Sequence, residues 1–313
     1  MKAFAFDEFG KPGSVQDMPM PEPAEGEVRV KVSAAAINPM DVAVTKGFAK
    51  DYAPHAPFPI VPGLDLSGTV DELGGGVHAF KIGDPVFGVV GRMPFGRGSV
   101  AEYVTASAGS IAKRPASIEA IDAAAFPLAG VSAIQAVEAV EPKPGHTILV
   151  VGAAGGIGSF AVQVLKAKGA HVIAVAGPAN AEYVKKLGAD EVIDYTSQDV
   201  VETVKAAHSQ IDAIVDTVST AEALAPLTEL VREGGRVSSM KGAVNAEDLA
   251  KRKIAGTNVQ TSTTTESLNQ LIELVEALKV KAPAIARYSL AKAGDALEKS
   301  AGGHARGKLV VTV

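Results

Sequence analysis

A glycine-rich turn is the clearest chemical signal in the chain. The stretch "VVGAAGGIGSF" (150–160) follows a continuous apolar run, "TILVV", and leads into a segment with helical spacing. Glycines let backbone N–H groups approach a pyrophosphate, and the N-terminus of the following helix favours its charge. A tight strand-to-helix connection would also use glycines, but the strand–turn–helix–strand context favours dinucleotide binding. The predicted contacts are Gly152, Ala153, Ala154, Gly155, Gly156 and Ile157.

The end of the next predicted strand indicates which dinucleotide binds. An NAD site normally has an acid there, which binds the ribose 2′-hydroxyl. The sequence reads "VIAVAGPANAEY", and its first acid, Glu182, already belongs to the following helix. No carboxylate would repel a 2′-phosphate, although no Arg or Lys stands there to attract it. The prediction is NADPH (NADP).

Further cofactor contacts are predicted at the ends of neighbouring strands. Gly177 and Asn180 follow the second strand, and Tyr195 ends the third. Tyr195 fits a packing residue at a strand edge almost as well. Thr217 and Val218, in "DTVS" (216–219), follow the fourth strand, at the edge where open α/β sheets bind ligands.

Composition excludes several functions. The 313 residues are 47% hydrophobic and 21% charged, which suits a soluble chain of two domains. A net charge of −5 disfavours nucleic acid as a partner. Without cysteine there is no disulfide, no thiolate catalysis and no cysteine-ligated zinc. No apolar run is long enough to span a bilayer, and the start lacks the apolar core of a signal peptide. We expect a cytoplasmic protein without a membrane partner.

The order of patterns predicts an α/β protein with two domains. The first third has short β patterns such as "EVRVKVSAAAI" (27–37), separated by Gly and Pro. From about residue 118 strands alternate with helices, which is typical of a doubly wound parallel sheet. The tail holds too few elements for a domain of its own, and it is predicted to complete the first one. The predicted segments are 1–118, 119–258 and 259–313.

Longer motifs resemble the medium-chain dehydrogenase/reductase superfamily, and within it the zinc-free quinone oxidoreductase (zeta-crystallin-like) branch. They occur in the order of that family and cover most of the chain: "INPMD" (37–41), "PIVPGLDLSGTV" (59–70), "FKIGDPVFG" (80–88), "AAAFPLAGVSAIQAV" (123–137), "LGADEVIDY" (187–195) and "GHARGKLVVTV" (303–313). The resemblance implies a Rossmann domain and a GroES-like, mostly β catalytic domain formed by both chain ends. It also implies an active site in the cleft between the two domains.

The resemblance further implies that no zinc is bound. Zinc alcohol dehydrogenases of the superfamily have Cys, His and Cys at the positions of Asn38, Leu64 and Leu128. The histidines at 55, 78, 146, 171, 208 and 304 show no ligand-like spacing and are interpreted as surface residues. Asp65, beside the lost ligand Leu64, is predicted to pair with a basic residue or to cap backbone N–H groups.

Without a Lewis acid, hydride transfer to a quinone or an α,β-unsaturated carbonyl is the favoured reaction, because conjugation takes up the charge. Asn38 is predicted to contact the acceptor or the nicotinamide ribose, or else to serve as a turn residue. Tyr52 could donate a proton, and Ser132 matches the small hydroxyl of the family near the nicotinamide, unless it bonds its own helix backbone. Asp41 is interpreted as structural. Phe48, Phe95 and Arg97 are predicted to line the acceptor pocket, with loop packing as the alternative.

Two other functions stay open at this point. An enoyl-thioester reductase would need a basic entrance, for which Arg92 and Arg97 are the candidates. A nucleotide-binding protein with little catalysis would bind NADPH without consuming it. A homodimer is predicted by analogy, through an edge strand near "TNVQTSTT" (257–264).

Overall fold

The structure, a computed structural model, describes residues 1–48, 58–91, 96–277 and 279–313. The chain divides into two compact units. The first comprises Met1–Leu128, Thr263–Glu273 and Ala284–Val313, and the second comprises Ala129–Ser262 and Leu274–Pro283. Both ends of the chain therefore build one unit, as the sequence predicts for the catalytic domain.

The first unit is mostly β. Strands β1 (Lys2–Ala5) and β2 (Ser14–Asp17) pair antiparallel. A larger sheet has the order β14-β15-β3-β4-β5-β7, and β6 also pairs with β3. Its strands are β3 (Glu27–Ile37), β4 (Asp65–Leu73), β5 (Pro85–Val89), β6 (Tyr103–Ser107), β7 (Ile111–Lys113), β14 (Ile285–Ser289) and β15 (Lys308–Thr312).

Short helices complete the first unit. They are α1 (Pro39–Thr45), α2 (Ala120–Ala123) and α10 (Ala293–Ala301), with 3-10 turns at Ala108–Ser110 and Leu290–Lys292. Strand β3 lies in the middle of this sheet. Alternate residues of the strand are apolar, and Val28, Val30 and Val32 pack into one buried cluster. Each such side chain stabilises the fold by roughly 1.5–3 kcal/mol. The last strand, β15, pairs antiparallel with β3 and so brings Leu309 opposite Ile37.

The second unit is a doubly wound parallel sheet, which confirms the predicted fold class. The strand order is β10-β9-β8-β11-β12-β13, and every pair is parallel. The strands are β8 (Thr147–Val151), β9 (His171–Val175), β10 (Glu191–Ile193), β11 (Ile211–Asp216), β12 (Val231–Ser239) and β13 (Ala255–Asn258). The chain moves outward from β8 to β10 and then returns to β11 on the other side of β8. This reversal is the topological switch point where such sheets bind nucleotides.

The helices of the second unit connect these parallel strands. They are α4 (Gly156–Ala167), α5 (Ala181–Lys186), α6 (Val200–Ala207), α7 (Ala221–Leu227) and α8 (Ala246–Lys251), with 3-10 turns at Pro178–Asn180 and Thr228–Leu230. Strand side chains such as Leu149, Ile173 and Ile214 are fully buried in the core of the unit. Among the described residues, no helix combines the length and apolar character needed to cross a membrane.

The unit boundaries differ from the predicted segments. Helices α3 (Pro127–Ala139) and α9 (Thr265–Glu276) both begin in the first unit and end in the second. The first boundary therefore lies after Leu128 rather than at 118. Residues 274–283 belong to the second unit, whereas the prediction placed the whole tail in the first. The physical reason is that Lys281 N donates to Gln163 Oε1 at 2.9 Å, which attaches this segment to α4.

Candidate active site

The glycine-rich turn between β8 and α4 lies at the switch point of the second unit. Gly152 has a φ of +78°, a conformation that favours glycine. A Cβ on Gly158 would lie 2.2 Å from Gly152 O, so only glycine allows the helix to approach the turn this closely. At Gly155 the nearest atom to such a Cβ is 3.4 Å away. The turn therefore packs closely against α4 at Gly158, whereas there is more space beside Gly155, at the start of the helix.

The start of α4 carries backbone N–H groups that no side chain caps. Gly155 is the N-cap residue, and the first amide bonded within the helix is Ser159 N, at 2.9 Å from Gly155 O. The amides of Gly156, Ile157 and Gly158 come before this first helical bond and have no acceptor within the helix. N–H groups in this arrangement bind phosphate, so the predicted residues Gly152, Ala153, Ala154, Gly155, Gly156 and Ile157 fit a dinucleotide pyrophosphate.

The ends of β9 and β10 bring two of the other predicted contacts together. A Cβ on Gly177 would lie 3.7 Å from Tyr195 Cε1, so the half-exposed Tyr195 ring lies beside the backbone of Gly177. Asn180 N donates to Gly177 O at 2.9 Å and thereby closes the turn. Between β9 and α5 the residues are Ala176, Gly177 and the 3-10 turn. No carboxylate stands in this segment.

The loop after β11 packs against the glycine turn. A Cβ on Gly152 would lie 2.5 Å from Thr217 Oγ1 and 2.7 Å from Val218 Cγ1. Thr217 Oγ1 donates to Val151 O at 2.9 Å, which fixes the loop to β8. Asp216 is fully buried and accepts from Ser239 Oγ at 2.8 Å. The sequence reasoning did not assign this positioning role to Asp216, although an acid that ends the apolar strand "IDAIVD" was the available signal.

Ser132 lies on α3 in the second unit and is 2% exposed. Its Oγ lies 2.6 Å from Thr261 Oγ1, so the hydroxyl pairs with another side chain instead of its own helix backbone. Gln135 Nε2 donates to Ser262 O at 2.8 Å, one turn further along. Together these bonds fix residues 261–262 to α3. The predicted contact of Ser132 with the nicotinamide stays a prediction.

A buried polar cluster forms the candidate site of the first unit. It contains Asn38, Asp41, Asp65 and Lys308, each at most 5% exposed. Asn38 is the N-cap residue of α1, and Pro39 begins that helix. Asp41, three residues later, accepts from Asn38 N at 2.7 Å and from Gly63 N at 2.9 Å. Asp41 thus connects the start of α1 to the "PIVPGLDLSG" stretch, in agreement with the structural role predicted for it.

Asp65 is bonded on both carboxylate oxygens. Oδ1 accepts from Leu128 N at 2.8 Å, and Oδ2 accepts from Asn38 Nδ2 at 2.9 Å and Lys308 Nζ at 3.1 Å. Its backbone carbonyl accepts from Ser99 Oγ at 2.6 Å. The prediction that Asp65 pairs with a basic residue or caps a backbone N–H is confirmed, and both interactions occur.

The ammonium of Lys308 is the centre of the cluster. It is 2.6 Å from Asn38 Oδ1, 3.1 Å from Asp65 Oδ2 and 3.4 Å from Ile37 O, so each of its three N–H groups has an acceptor. The amide of Asn38 is also engaged, because Nδ2 donates to Asp65 and Oδ1 accepts from Lys308. This full set of bonds favours a positioning role for Asn38 over the predicted contact with the acceptor.

The second acid of the cluster titrates near neutral pH. Burial raises the pKa of Asp41 to about 7; hydrogen bonds from Asn38 and Gly63 oppose this rise, and the charge of Asp65 adds to it. Below that pH Asp41 is protonated and adds no charge to the buried Lys308–Asp65 pair. A neutral total is what the interior of a protein tolerates best.

These residues do not fit a zinc ion. Zinc in proteins is bound by Cys, His and carboxylate side chains. Leu64 packs against an apolar cluster, and Leu128 contributes only its backbone N–H, to Asp65. Asn38 Oδ1 and Asp65 Oδ2 already accept from the Lys308 ammonium, whose charge repels a second cation, and Asp65 Oδ1 accepts from Leu128 N.

The predicted acceptor pocket is only partly described. Phe48 follows α1 and is 53% exposed, and Arg97 is exposed as well. Tyr52, Phe95 and Arg92 lie outside the described residues. The structure therefore places neither Tyr52 nor Phe95, and their predicted roles stay predictions.

Comparisons with known proteins agree with this geometry. Residues 24–116 match the "Alcohol dehydrogenase GroES-like domain" family model, and residues 187–311 match the "Zinc-binding dehydrogenase" model. The chain is 35% identical over 308 residues to the chloroplast envelope quinone oxidoreductase homolog of Arabidopsis thaliana, covering 94% of this chain and 92% of that protein.

Two further relatives are informative. The quinone oxidoreductase from Coxiella burnetii has a solved structure with a TM-score of 0.88 and 33% identity, over 100% of this chain and 99% of that one. The chloroplastic NADPH-dependent alkenal/one oxidoreductase of Arabidopsis thaliana is 31% identical, over 99% of this chain and 79% of that protein.

The parallel sheet with its glycine turn and the GroES-like unit together define a nicotinamide-dependent oxidoreductase. The chain belongs to the medium-chain dehydrogenase/reductase superfamily, in its quinone oxidoreductase branch. A reduced nicotinamide, when bound, supplies the hydride. The residues of the second unit that would hold it are the glycine turn, Gly177 with Tyr195, and Thr217 with Val218.

Proposed function

We propose that the protein transfers a hydride from NADPH to a quinone or to an α,β-unsaturated carbonyl compound, without zinc. The observation that carries this proposal is the ammonium of Lys308, which is bonded to Asn38, at one of the former ligand positions, and to Asp65, the neighbour of another. An ammonium cannot accept an electron pair, and this one has no hydrogen-bond donor left. The reaction therefore needs an acceptor that is already electron-poor.

Conjugated acceptors meet this requirement. A quinone or an enone distributes the charge of the incoming hydride over its own π system, so the protein mainly has to orient the reactants and exclude water. The names of the relatives support this class, because they include quinone oxidoreductases and an NADPH-dependent alkenal/one oxidoreductase.

The preference for NADPH over NADH rests on the end of β9. Ala176 and Gly177 stand where an NAD site has its carboxylate, and Tyr195 lies beside them. A 2′-phosphate meets no negative side chain of this segment. We infer that NADPH is the physiological cofactor.

The activity test follows NADPH consumption at 340 nm with 1,4-benzoquinone, 9,10-phenanthrenequinone and a simple enone. We expect turnover with at least one of these acceptors, and the same rate after treatment with a strong chelator. NADH is the matched control, with an expected lower kcat/KM. Loss of activity on chelation that zinc restores, without a change in melting temperature, would contradict the zinc-free reaction.

Two outcomes of the same assay would replace the proposal. Turnover with crotonyl-CoA alone would indicate an enoyl-thioester reductase. Saturable NADPH binding without consumption over the whole acceptor panel would indicate a nucleotide-binding protein with little catalysis.

We also infer a homodimer that forms through β13. In the described part of the chain β13 pairs only with β12, so its other side is an open edge. Ala255, Thr257 and Asn258 on this strand are exposed. Pairing of two copies would give one continuous sheet. A monomer mass in light scattering at micromolar concentration would contradict the inference.

The predicted cytoplasmic location stays a prediction.

A further inference from the structure

Two histidines that are far apart in the sequence meet at the other end of the parallel sheet. His171 begins β9, Glu191 begins β10 and His208 follows the last residue of α6. These are the amino ends of the strands, whereas the glycine turn lies at the carboxyl ends. The expectation that the histidines are scattered is therefore wrong for this pair, although both side chains reach the surface as predicted.

The two imidazoles point at one carboxylate oxygen. His171 Nε2 is 2.6 Å and His208 Nε2 is 2.9 Å from Glu191 Oε1. The three ligand atoms lie within 4.8 Å of one another, and the two ring centroids are 5.8 Å apart. Two imidazole nitrogens and one carboxylate oxygen that converge in this way form a ligand set that Zn²⁺ uses in proteins.

The distances allow a metal ion with small side-chain movements. A tetrahedral ion with bonds of about 2.1 Å separates its ligand atoms by about 3.4 Å. The two nitrogens would therefore each move less than about 1 Å away from Glu191 Oε1. The side chains of His171, Glu191 and His208 are 38%, 37% and 21% exposed, so solvent reaches the cluster and a water can complete the coordination.

The charges around the cluster also suit a cation. Partial burial acts to raise the pKa of Glu191, but the hydrogen bonds from His171 and His208 outweigh this effect and hold the pKa below its usual value. Glu191 is therefore ionised at neutral pH.

A second carboxylate stands behind one of the imidazoles. Asp190 Oδ2 is 3.8 Å from His171 Nδ1, and it is fixed by Lys166 Nζ at 2.8 Å and Val172 N at 2.7 Å. At this distance Asp190 makes no hydrogen bond to the ring, but it adds a second negative charge beside the cluster.

We propose that His171, Glu191 and His208 bind a divalent transition-metal ion of the zinc type. The ion would link the first residues of β9 and β10 to the end of α6. This linkage stabilises an exposed part of the sheet, because β10 is its edge strand. A metal binds an imidazole nitrogen that carries no hydrogen, so each Nε2 would exchange its contact with Glu191 for the metal.

The test titrates the full chain, freed of any affinity tag and stripped of metal, with ZnCl₂ in a calorimeter. We expect one saturable site at pH 7.5, and at least a tenfold loss of affinity in His171→Ala and in His208→Ala. His78→Ala is the matched control, because His78 is exposed in the other unit, and it should bind like the parent protein. The metal-free melting temperature of each variant shows whether it is folded.

A second measurement does not depend on the variants. Zinc should slow amide hydrogen exchange in 191–193 and 200–208, and Co²⁺ should give the visible absorption of a tetrahedral site. The proposal is overturned if no site saturates below about 100 µM zinc, if both histidine variants bind like the parent, or if zinc protects other segments only.

Discussion

Lys308→Met tests whether the buried ammonium neutralises Asp65. Lys308 Nζ lies 3.1 Å from Asp65 Oδ2, with the two side chains 4% and 0% exposed. Coulomb's law gives about 5 kcal/mol for this pair at an effective dielectric constant of about 20. The cost of removing both charges from water opposes that attraction, but removal of one partner leaves a buried charge and costs about 3–5 kcal/mol. Methionine keeps most of the side-chain volume, so packing adds little to the loss.

The assay is urea unfolding at pH 8, followed by circular dichroism and by tyrosine emission, because the chain has no tryptophan. We expect Lys308→Met to lower the free energy of unfolding by about 3–5 kcal/mol. Lys31→Met is the matched control: Lys31 is exposed on β3, and the change should stay within about 0.5 kcal/mol.

The double variant Lys308→Met/Asp65→Asn separates charge from shape. Both buried charges are then absent, so the double variant should be more stable than the sum of the single losses predicts, by about 2 kcal/mol. A loss equal to the sum would show that Lys308 does not neutralise Asp65. A Lys308→Met loss no larger than that of Lys31→Met would refute the reasoning as well.

Three further predictions concern Asp41 and the nucleotide edge. Because burial raises the pKa of Asp41 to about 7, its contribution to stability is largest below about pH 4 and falls until about pH 7. The urea midpoint should therefore fall more between pH 5 and pH 8 in the parent than in Asp41→Asn, and equal falls would contradict this. Gly158→Ala puts a Cβ 2.2 Å from Gly152 O and should weaken NADPH binding at least tenfold in a fluorescence titration. Gly75→Ala, with no atom closer than 3.9 Å, should bind NADPH normally. Gly177→Asp should raise the KM for NADPH and leave that for NADH unchanged, with Gly177→Asn as the neutral control; equal effects on both cofactors would remove Gly177 from the 2′ site.

The parallel sheet was predictable because its strands are buried on both faces. The continuous apolar run "TILVV" coincides with β8, the mostly apolar "IDAIVD" coincides with β11, and the glycine turn follows the first of them. The edge strand predicted near 257–264 is β13 (Ala255–Asn258); its bounds differ from the prediction because "AGTN" has no apolar pattern. It is a strand through its pairing with β12, which is a tertiary effect that local sequence does not encode.

The candidate site of the first unit was predictable only in part. An acid in an apolar stretch had to find a partner, and this argument correctly predicted the bonds of Asp65. The identity of the partner was not accessible, because Lys308 is 243 residues away in sequence. The available signal was a lysine within the apolar strand "KLVVT", where a charge needs a partner. The antiparallel pairing of β15 with β3 brings Lys308 close to Asp65. The meeting of His171 with His208 was not accessible either, because they too are far apart in the sequence.

Lys308 also explains how the first unit tolerates the buried acid Asp65. Asp65 needs a cation, and the last strand supplies one that is covalently part of the chain and fully bonded. Zinc would offer an empty coordination position to an alcohol or a carbonyl, whereas an ammonium with three acceptors offers nothing to a substrate. The Lys308 ammonium therefore neutralises Asp65 without supplying a Lewis acid. That is why the same architecture is suited to acceptors that activate themselves by conjugation.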